Sequence, residues 1–432
     1  MNVFANPPEE TWSALCERPQ LELGFLESSV RNVMNRVKNA GDEALRELTL
    51  QFDKVQLASL QISTTEVAEA EAQLTPSLRD AIQKAAANIG KFHAAQRRET
   101  LMVETMPGVR CWRKGVAIDK VGIYIPGGTA PLFSTVLMLG IPAKLAGCNE
   151  IVLCTPPDKN GKVNPAILYA ASLVGVTKMF KVGGAQAIAA MAFGTQSIPR
   201  VHKIFGPGNQ YVTKAKQLVM EEGIAIDMPA GPSEVLVLAD QTSNASFVAA
   251  DLLSQAEHGE DSQVILVVLN ADLVDAVKKE IAAQLTSLPR KAIAEKALAN
   301  SRAVIFSSAS DAIKFVNEYA PEHLIINMNS AEVVADQIIN AGSVFLGNYS
   351  PEAIGDYASG TNHTLPTNGY AKAYAGVSLE SFMKFITYQQ LTQEGLRTLG
   401  PVVEQMADAE QLAAHKNAVT IRLNEISKSA QS

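Results

Sequence analysis

Two tandem doubly wound, incomplete Rossmann-like α/β domains, with small helical N- and C-terminal segments, are the fold class predicted for this 432-residue chain. Three observations predict it. From about residue 116 to residue 346, short apolar runs of strand length alternate with helical stretches. Outside that span, apolar residues recur at three- and four-residue steps, the period of one helix face. Three strand-to-helix junctions are rich in glycine, which tight βα turns need.

The elements follow in order. The first hundred residues read as helix, with Val30, Val33, Met34, Val37, Leu45, Leu48 and Phe52 along one face. A second helix over about 75–98 opens on Thr75-Pro76, an N-cap and first-turn pair. Strands then follow at Val121-Gly-Ile-Tyr-Ile125, Glu150-Ile-Val-Leu-Cys154, Lys178-Met-Phe-Lys-Val182, Val201-His-Lys-Ile-Phe205 and Ile224-Ala-Ile226. Helical stretches near 134–145, 166–173, 185–192 and 210–221 separate them. A second series of strands covers 234–238, 263–269, 303–306, 323–326 and 343–346. Residues 347–368 are rich in Gly, Ser, Thr, Asn and Pro and read as a long loop, a class that is usually functional or disordered. The remainder reads as helix, with Leu396, Leu399, Val402, Val403 and Met406 on one face. The expected organisation is an N-terminal helical segment (1–21), a discontinuous α/β domain with metal and catalytic residues (22–123 and 233–377), an α/β cofactor-binding domain (124–232) and a helical C-terminal segment (378–432).

Composition narrows the function. The chain is 47% apolar and 19% charged, with 28 Gly, 20 Pro, four Cys and six His, which excludes collagen-like, disulfide-framework and wholly disordered chains. A net charge of −7 gives no electrostatic reason to bind nucleic acid or an anionic membrane, so small molecules are the expected partners. Cys16, Cys111, Cys148 and Cys154 are scattered without C-x-x-C spacing, so free thiols in a reducing cytoplasm are expected. No targeting signal is recognisable at either end, and no run approaches a membrane span. Any metal would be held mainly by nitrogen and oxygen.

Five features offer chemistry, each with a plain structural alternative. Ile125-Pro-Gly-Gly-Thr129, Val182-Gly-Gly-Ala-Gln186 and Phe205-Gly-Pro-Gly-Asn-Gln210 are turns whose N–H groups can hold phosphate, or ordinary turns shaped by Pro and Gly. The third is similar to a dinucleotide-binding fingerprint lacking its last Gly, with an acid, Asp227, about 20 residues on. Gln255 and His258 share a helix face and can begin a metal site, or they simply close a polar helix end. Glu322 and His323 precede a strand, where an imidazole and a carboxylate can move protons, or Pro321 and its neighbours form a structural turn. The long loop carries Asp356 and His363 and little charge, which favours function over a solvated linker. Glu410 and His415 lie five apart on a helix, about 140° around its axis, and from spacing alone read as a solvated face.

Taken together, eight segments in this order resemble histidinol dehydrogenase over essentially the entire chain. They are Val121-Gly-Ile-Tyr-Ile-Pro-Gly-Gly, Lys181-Val-Gly-Gly-Ala-Gln-Ala, Ile204-Phe-Gly-Pro-Gly-Asn, Asp227-Met-Pro-Ala-Gly-Pro-Ser-Glu, Leu253-Ser-Gln-Ala-Glu-His-Gly, Pro321-Glu-His-Leu, Gly355-Asp-Tyr-Ala-Ser-Gly-Thr-Asn-His and Ala414-His-Lys-Asn-Ala-Val. The resemblance implies a zinc-dependent, NAD-linked homodimer that oxidises L-histidinol through L-histidinal to L-histidine with two NAD⁺, the last steps of histidine biosynthesis. It implies one Zn²⁺ per subunit on Gln255, His258, Asp356 and His415. His323 falls on the general base, and Glu322 on the group that activates water for the second oxidation. Substrate contacts fall on Ser233, Gln255, His258, His323, Asp356, His363, Glu410 and His415, and cofactor contacts on Tyr124, Gln186 and Asn209. It further implies that the C-terminal segment crosses to the partner subunit and completes its site. Two alternatives remain at this level: a dehydrogenase on the same scaffold acting on another alcohol, such as a sulfonated diol, and a zinc hydrolase.

Overall fold

The strand-like runs build two parallel sheets. The computed structural model describes residues 1–19, 24–127, 130–229 and 231–429. These fall into two units, Met1–Gln96 with Ile118–Phe382, and Arg97–Ala117 with Met383–Ser432.

In the first unit, one sheet has the strand order Lys178–Lys181, Glu150–Thr155, Lys120–Tyr124, Lys203–Phe205, Ala225–Ile226, all parallel. Its central strands are apolar on both faces because helices cover both. Gly24–Ala40, Asp42–Asp53, Gly184–Phe193 and Gln210–Glu221 pack on one face. Pro76–Ala94, Phe133–Ala146 and Pro165–Val174 pack on the other. The N-cap Thr75 and Pro76 start their helix as expected, with Thr75 Oγ1 accepting from the Leu78 N–H. The expected boundary at 123/124 falls within the strand Lys120–Tyr124.

The second sheet of this unit is also all parallel, in the order Asn2–Ala5, Arg302–Ile305, Gln263–Val268, Glu234–Ala239, His323–Asn327, Ser343–Leu346. Every residue of Gln263–Val268 is buried. Trp12 caps one face, edge-on to Phe306 and Phe315. In the five-stranded sheet the chain adds strands to one side of Lys120–Tyr124 and then crosses to the other side; in the six-stranded sheet it does the same about Glu234–Ala239, with Asn2–Ala5 at the far edge. The crossings give switch points between Lys120–Tyr124 and Lys203–Phe205, and between Glu234–Ala239 and His323–Asn327.

Three stretches differ from the sequence reading. The start of the chain, read as helical, opens with the strand Asn2–Ala5, which pairs along a single edge and, at four residues, is too short to show a strand pattern. The C-terminal stretch contains a nine-residue strand, Met383–Leu391, antiparallel to Val109–Ala117, in the second unit's three-stranded sheet with Met102–Met106. That sheet is buried on neither face of Met383–Leu391, and Lys384, Thr387, Gln389 and Gln390 interrupt its apolar residues, which masks the strand. Residues 347–368 hold a short helix, Glu352–Tyr357, started by Pro351. The helices Gln393–Ala409 and Ala413–Ser429 complete the second unit. No helix among the described residues is long and apolar enough to cross a membrane.

Candidate active site

The expected cofactor residues cluster at the carboxyl ends of the five-stranded sheet, beside its switch point, where open α/β sheets hold nucleotides. Tyr124 ends the first strand, and its hydroxyl accepts from the Gly184 N–H at 2.9 Å, which ties two of the three glycine turns together. Burial pushes that phenol up to about 12, so it stays neutral. Gln186 lies buried in the first turn of Gly184–Phe193. Asn209 is the exposed N-cap of Gln210–Glu221, its Oδ1 accepting from the N–H groups of Tyr211 and Val212. Gly206 has φ +125°, and a Cβ there would stand 2.1 Å from the Tyr124 carbonyl oxygen, so only glycine fits. Gly128 and Thr129 of the first turn lie outside the described residues.

Asp227 does not act as the fingerprint acid. Its Oδ2 accepts from the Gly206 N–H at 2.8 Å, and its Oδ1 accepts from its neighbour Met228 N–H and pairs with Lys216 Nζ at 2.5 Å. Lys216 Nζ also donates to the Gly206 carbonyl at 2.8 Å. With its side chain only 1% exposed, Asp227 braces the turn from beneath and does not face a ribose. An acid at the right distance was a sound signal, but the burial that redirects it was invisible in one dimension.

The residues expected to move protons gather at the other kind of edge, the amino ends of the six-stranded sheet. Glu322 and His323 begin their strand beside Glu234, which begins the neighbouring one. The Glu234 N–H donates to Glu322 Oε2 at 2.9 Å, and His323 Nδ1 donates to the Glu234 carbonyl at 3.3 Å. His323 Nε2 then faces Asp356 Oδ1 at 3.3 Å. Glu352, one helical turn before Asp356, places Oε1 3.8 Å from His323 Nδ1. The sequence reading missed Glu352. As the first residue of a short helix behind a proline it resembles an ordinary first-turn acid, and only the fold brings it to His323.

Gln255 is fully buried near the end of Ala245–Ala256, and its Nε2 donates to Nδ1 of the exposed His258 at 3.3 Å. His363 donates from Nδ1 to the Asp356 carbonyl at 2.7 Å, and its Nε2 accepts from the Thr135 hydroxyl at 3.0 Å, which fixes its ring. Ser233 is half-buried and directly precedes Glu234. Glu410 and His415, read from the sequence as sharing a helix, stand on either side of a turn, Glu410 capping Gln393–Ala409 and His415 in the first turn of Ala413–Ser429, and both are exposed in the second unit. Only seven residues, 227–233, join the last strand of the five-stranded sheet to the first of the six-stranded series. The chain therefore passes directly from cofactor turns to proton-moving residues.

Charge is unbalanced in this cluster. Burial pushes the carboxyls of Glu322 and Glu352 up to about 8 each. Burial opposes a charge on His323, but Glu352, Glu322 and Asp356 outweigh it and hold the imidazole well above its usual range. Burial likewise opposes ionisation of Asp356, yet His323 with His363 and His258 keeps it below the usual carboxylate range. Four buried atoms there have no hydrogen-bond partner: Gln255 Oε1, His323 Nε2, Glu352 Oε2 and Asp356 Oδ1. Ligand atoms of His323, Glu352 and Asp356 lie within 4.8 Å of one another. Several carboxylates about one imidazole, with unpaired nitrogen and oxygen atoms, could hold a metal cation. This group shares Asp356 with the ligand set expected from the sequence and adds His323 and Glu352.

The chain is similar to proteins of one family over nearly its whole length. The family model for histidinol dehydrogenase matches residues 16–423. A histidinol dehydrogenase of Bacteroides fragilis is 60% identical over 428 residues, covering 99% of this chain and 100% of the relative. A chloroplastic histidinol dehydrogenase of Arabidopsis thaliana is 54% identical over 417 residues, covering 96% and 89%. The crystal structure of histidinol dehydrogenase from Elizabethkingia anophelis superposes with a TM-score of 0.97 at 55% identity, covering 100% of this chain and 99% of that one. With the family model and full-length relatives in agreement, this chain belongs to the histidinol dehydrogenase family.

Proposed function

We propose that the chain oxidises L-histidinol through L-histidinal to L-histidine with two NAD⁺, closing histidine biosynthesis in the cytoplasm. The observation that carries the reading is the buried pair Glu322 and His323, held by the backbone of Glu234, with the carboxylates of Glu352 and Asp356 against the imidazole. The family supports the substrate, and the four free cysteines support a reducing compartment. Neither the sulfonated-diol nor the hydrolase alternative has an observation in its favour.

Bound NAD⁺ would accept a hydride from the substrate carbon in each oxidation, at the crevice bordered by Tyr124, Gln186 and Asn209. Zinc held by Gln255, His258, Asp356 and His415 of the partner subunit would anchor the substrate's imidazole and amine, a role of orientation. Once deprotonated, His323 takes the hydroxyl proton at Nε2 in the first oxidation, because Nδ1 is engaged with the Glu234 carbonyl. The resulting aldehyde adds water to give a hydrate. Glu322 takes the proton from that water, and the hydrate then loses its second hydride and a proton to become the acid. His363, Ser233 and Glu410 hold substrate polar groups.

A homodimer with shared sites completes this reading. Exposed Ile354 and Tyr357 flank Asp356 on its helix, and His258 is exposed beside them, so the mouth of the site is open to a second copy. In the second unit, Met406, Leu412 and Ile421 are exposed near Glu410 and His415. NADH formation from L-histidinol tests the reading. It should vanish with a strong chelator and return with zinc, whereas chelator-insensitive turnover would remove the metal from the account.

A further inference from the structure

Glu234 holds both proton-moving side chains through its backbone, by its N–H to Glu322 and its carbonyl to His323. Its own side chain points the other way. Glu234 Oε2 accepts from Arg18 Nε at 2.9 Å and from Arg18 Nη2 at 2.7 Å, while Oε1 accepts from the Asn368 N–H. Arg18 Nη2 also donates to the Tyr319 carbonyl at 2.5 Å, Nη1 donates to the Cys16 carbonyl at 3.0 Å, and the guanidinium lies 3.8 Å over the Tyr319 ring. The Tyr319 hydroxyl in turn donates to Gln263 Oε1 at 2.9 Å. The two side chains of the ion pair are 11% and 1% exposed.

This arrangement joins the two chain segments that bear the site. Glu234 starts one strand. Tyr319 ends the helix from which the chain turns, through Ala320 at φ +53° and Pro321, into Glu322 and His323. One guanidinium holds both at once. A buried ion pair is an expensive way to stabilise a fold, since desolvation cancels much of its attraction. A planar fork that fixes two backbone segments has a geometric use that a hydrophobic pair lacks.

We infer that Arg18, acting through Glu234 and the Tyr319 carbonyl, is a positioning residue of the active site, setting the Glu234 peptide groups that aim Glu322 and His323. The inference rests on the proposed reaction. Loosening the fork tilts those peptide groups, so the proton-moving groups lose alignment while the cofactor contacts and most substrate contacts, Gln255, His258 and Asp356 among them, stay in place. Misplacement on the order of 1 Å costs roughly 100-fold in rate.

Zinc-loaded wild type, Arg18→Lys, Arg18→Ala and Trp12→Phe are compared for kcat, KM, thermal midpoint and metal content. Trp12→Phe loosens the same N-terminal segment without touching Glu234, and it should keep its kcat. Arg18→Lys keeps the charge but not the fork. It should lose roughly 10- to 100-fold in kcat for both oxidations, with KM values within about twofold. Arg18→Ala should lose more and regain part of its kcat when guanidinium is supplied at millimolar concentration. Should Arg18→Ala fail to fold, Arg18→Lys carries the decision. An Arg18→Lys kcat equal to wild type, or a loss matched by Trp12→Phe at the same thermal midpoint, overturns the inference. A wild type that forms no NADH from L-histidinol overturns the proposed reaction first, and the inference with it.

Discussion

Replacing Glu322 by Gln removes a base while sparing the fold. The Glu234 N–H that donates to Glu322 Oε2 at 2.9 Å can donate equally to an amide oxygen, so the buried bond survives. What is lost is the ability to take a proton from water. Positioned general bases contribute roughly 10²–10⁴-fold, which is about 2.7–5.4 kcal/mol of barrier at 1.36 kcal/mol per tenfold. That loss should fall on aldehyde oxidation, because the alcohol step uses His323. Burial also pushes the Glu322 carboxyl up to about 8, and a base works only when deprotonated. Wild-type aldehyde oxidation should therefore climb as pH passes through about 8, and Glu322→Gln should flatten that climb. The assay supplies L-histidinol and L-histidinal separately and follows NADH across pH. For the variant, L-histidinol should yield nearly one NADH with aldehyde accumulating. Equal losses in both oxidations, or an unchanged pH profile in the variant, would refute the division of roles.

Other perturbations have equally direct outcomes. Gly206→Ala puts a Cβ against the Tyr124 carbonyl at φ +125°, a strain of roughly 1–3 kcal/mol; a lower thermal midpoint and a raised KM for NAD⁺ should both appear. Burial pushes the Asp251 carboxyl up to about 7, so the folded state binds its proton more tightly than the unfolded chain does. Its stability contribution is full below about 4 and is lost as pH rises through about 7. Asp251→Asn should therefore raise the thermal midpoint over wild type at pH 8 and not at pH 4. Mixing inactive His258→Ala and His415→Ala chains should restore part of the activity if one subunit completes the other's site. Confirmed heterodimers without activity would argue against that exchange.

Much of this layout was readable in the chain because burial leaves a mark. Strands covered on both faces, such as Gln263–Val268, must be apolar throughout, and such runs stand out. The helix Pro76–Ala94 was marked at its start by a capping residue, Thr75, and the proline after it. Asn2–Ala5 is too short, and Met383–Leu391 too mixed in polar and apolar residues, to leave such a mark. The candidate site divides the same way. Glu322, His323, Gln255, His258 and Asp356 stood in distinctive local patterns, whereas Glu352 and Arg18 are ordinary in their neighbourhoods. Arg18 meets Glu234 across 216 residues, and Glu352 reaches His323 only because their two elements pack together. Asp227 is the inverse case, a residue at a meaningful spacing that the fold turns inward.

If one chain carries out both oxidations of L-histidinol at the site built around Glu322 and His323, each substrate molecule must yield two reduced cofactors. The decisive experiment counts NADH formed per L-histidinol consumed by the zinc-loaded protein and identifies the organic product. Two NADH and L-histidine are expected. One NADH with L-histidinal as the final product, or no NADH at all, would rule the proposed reaction out.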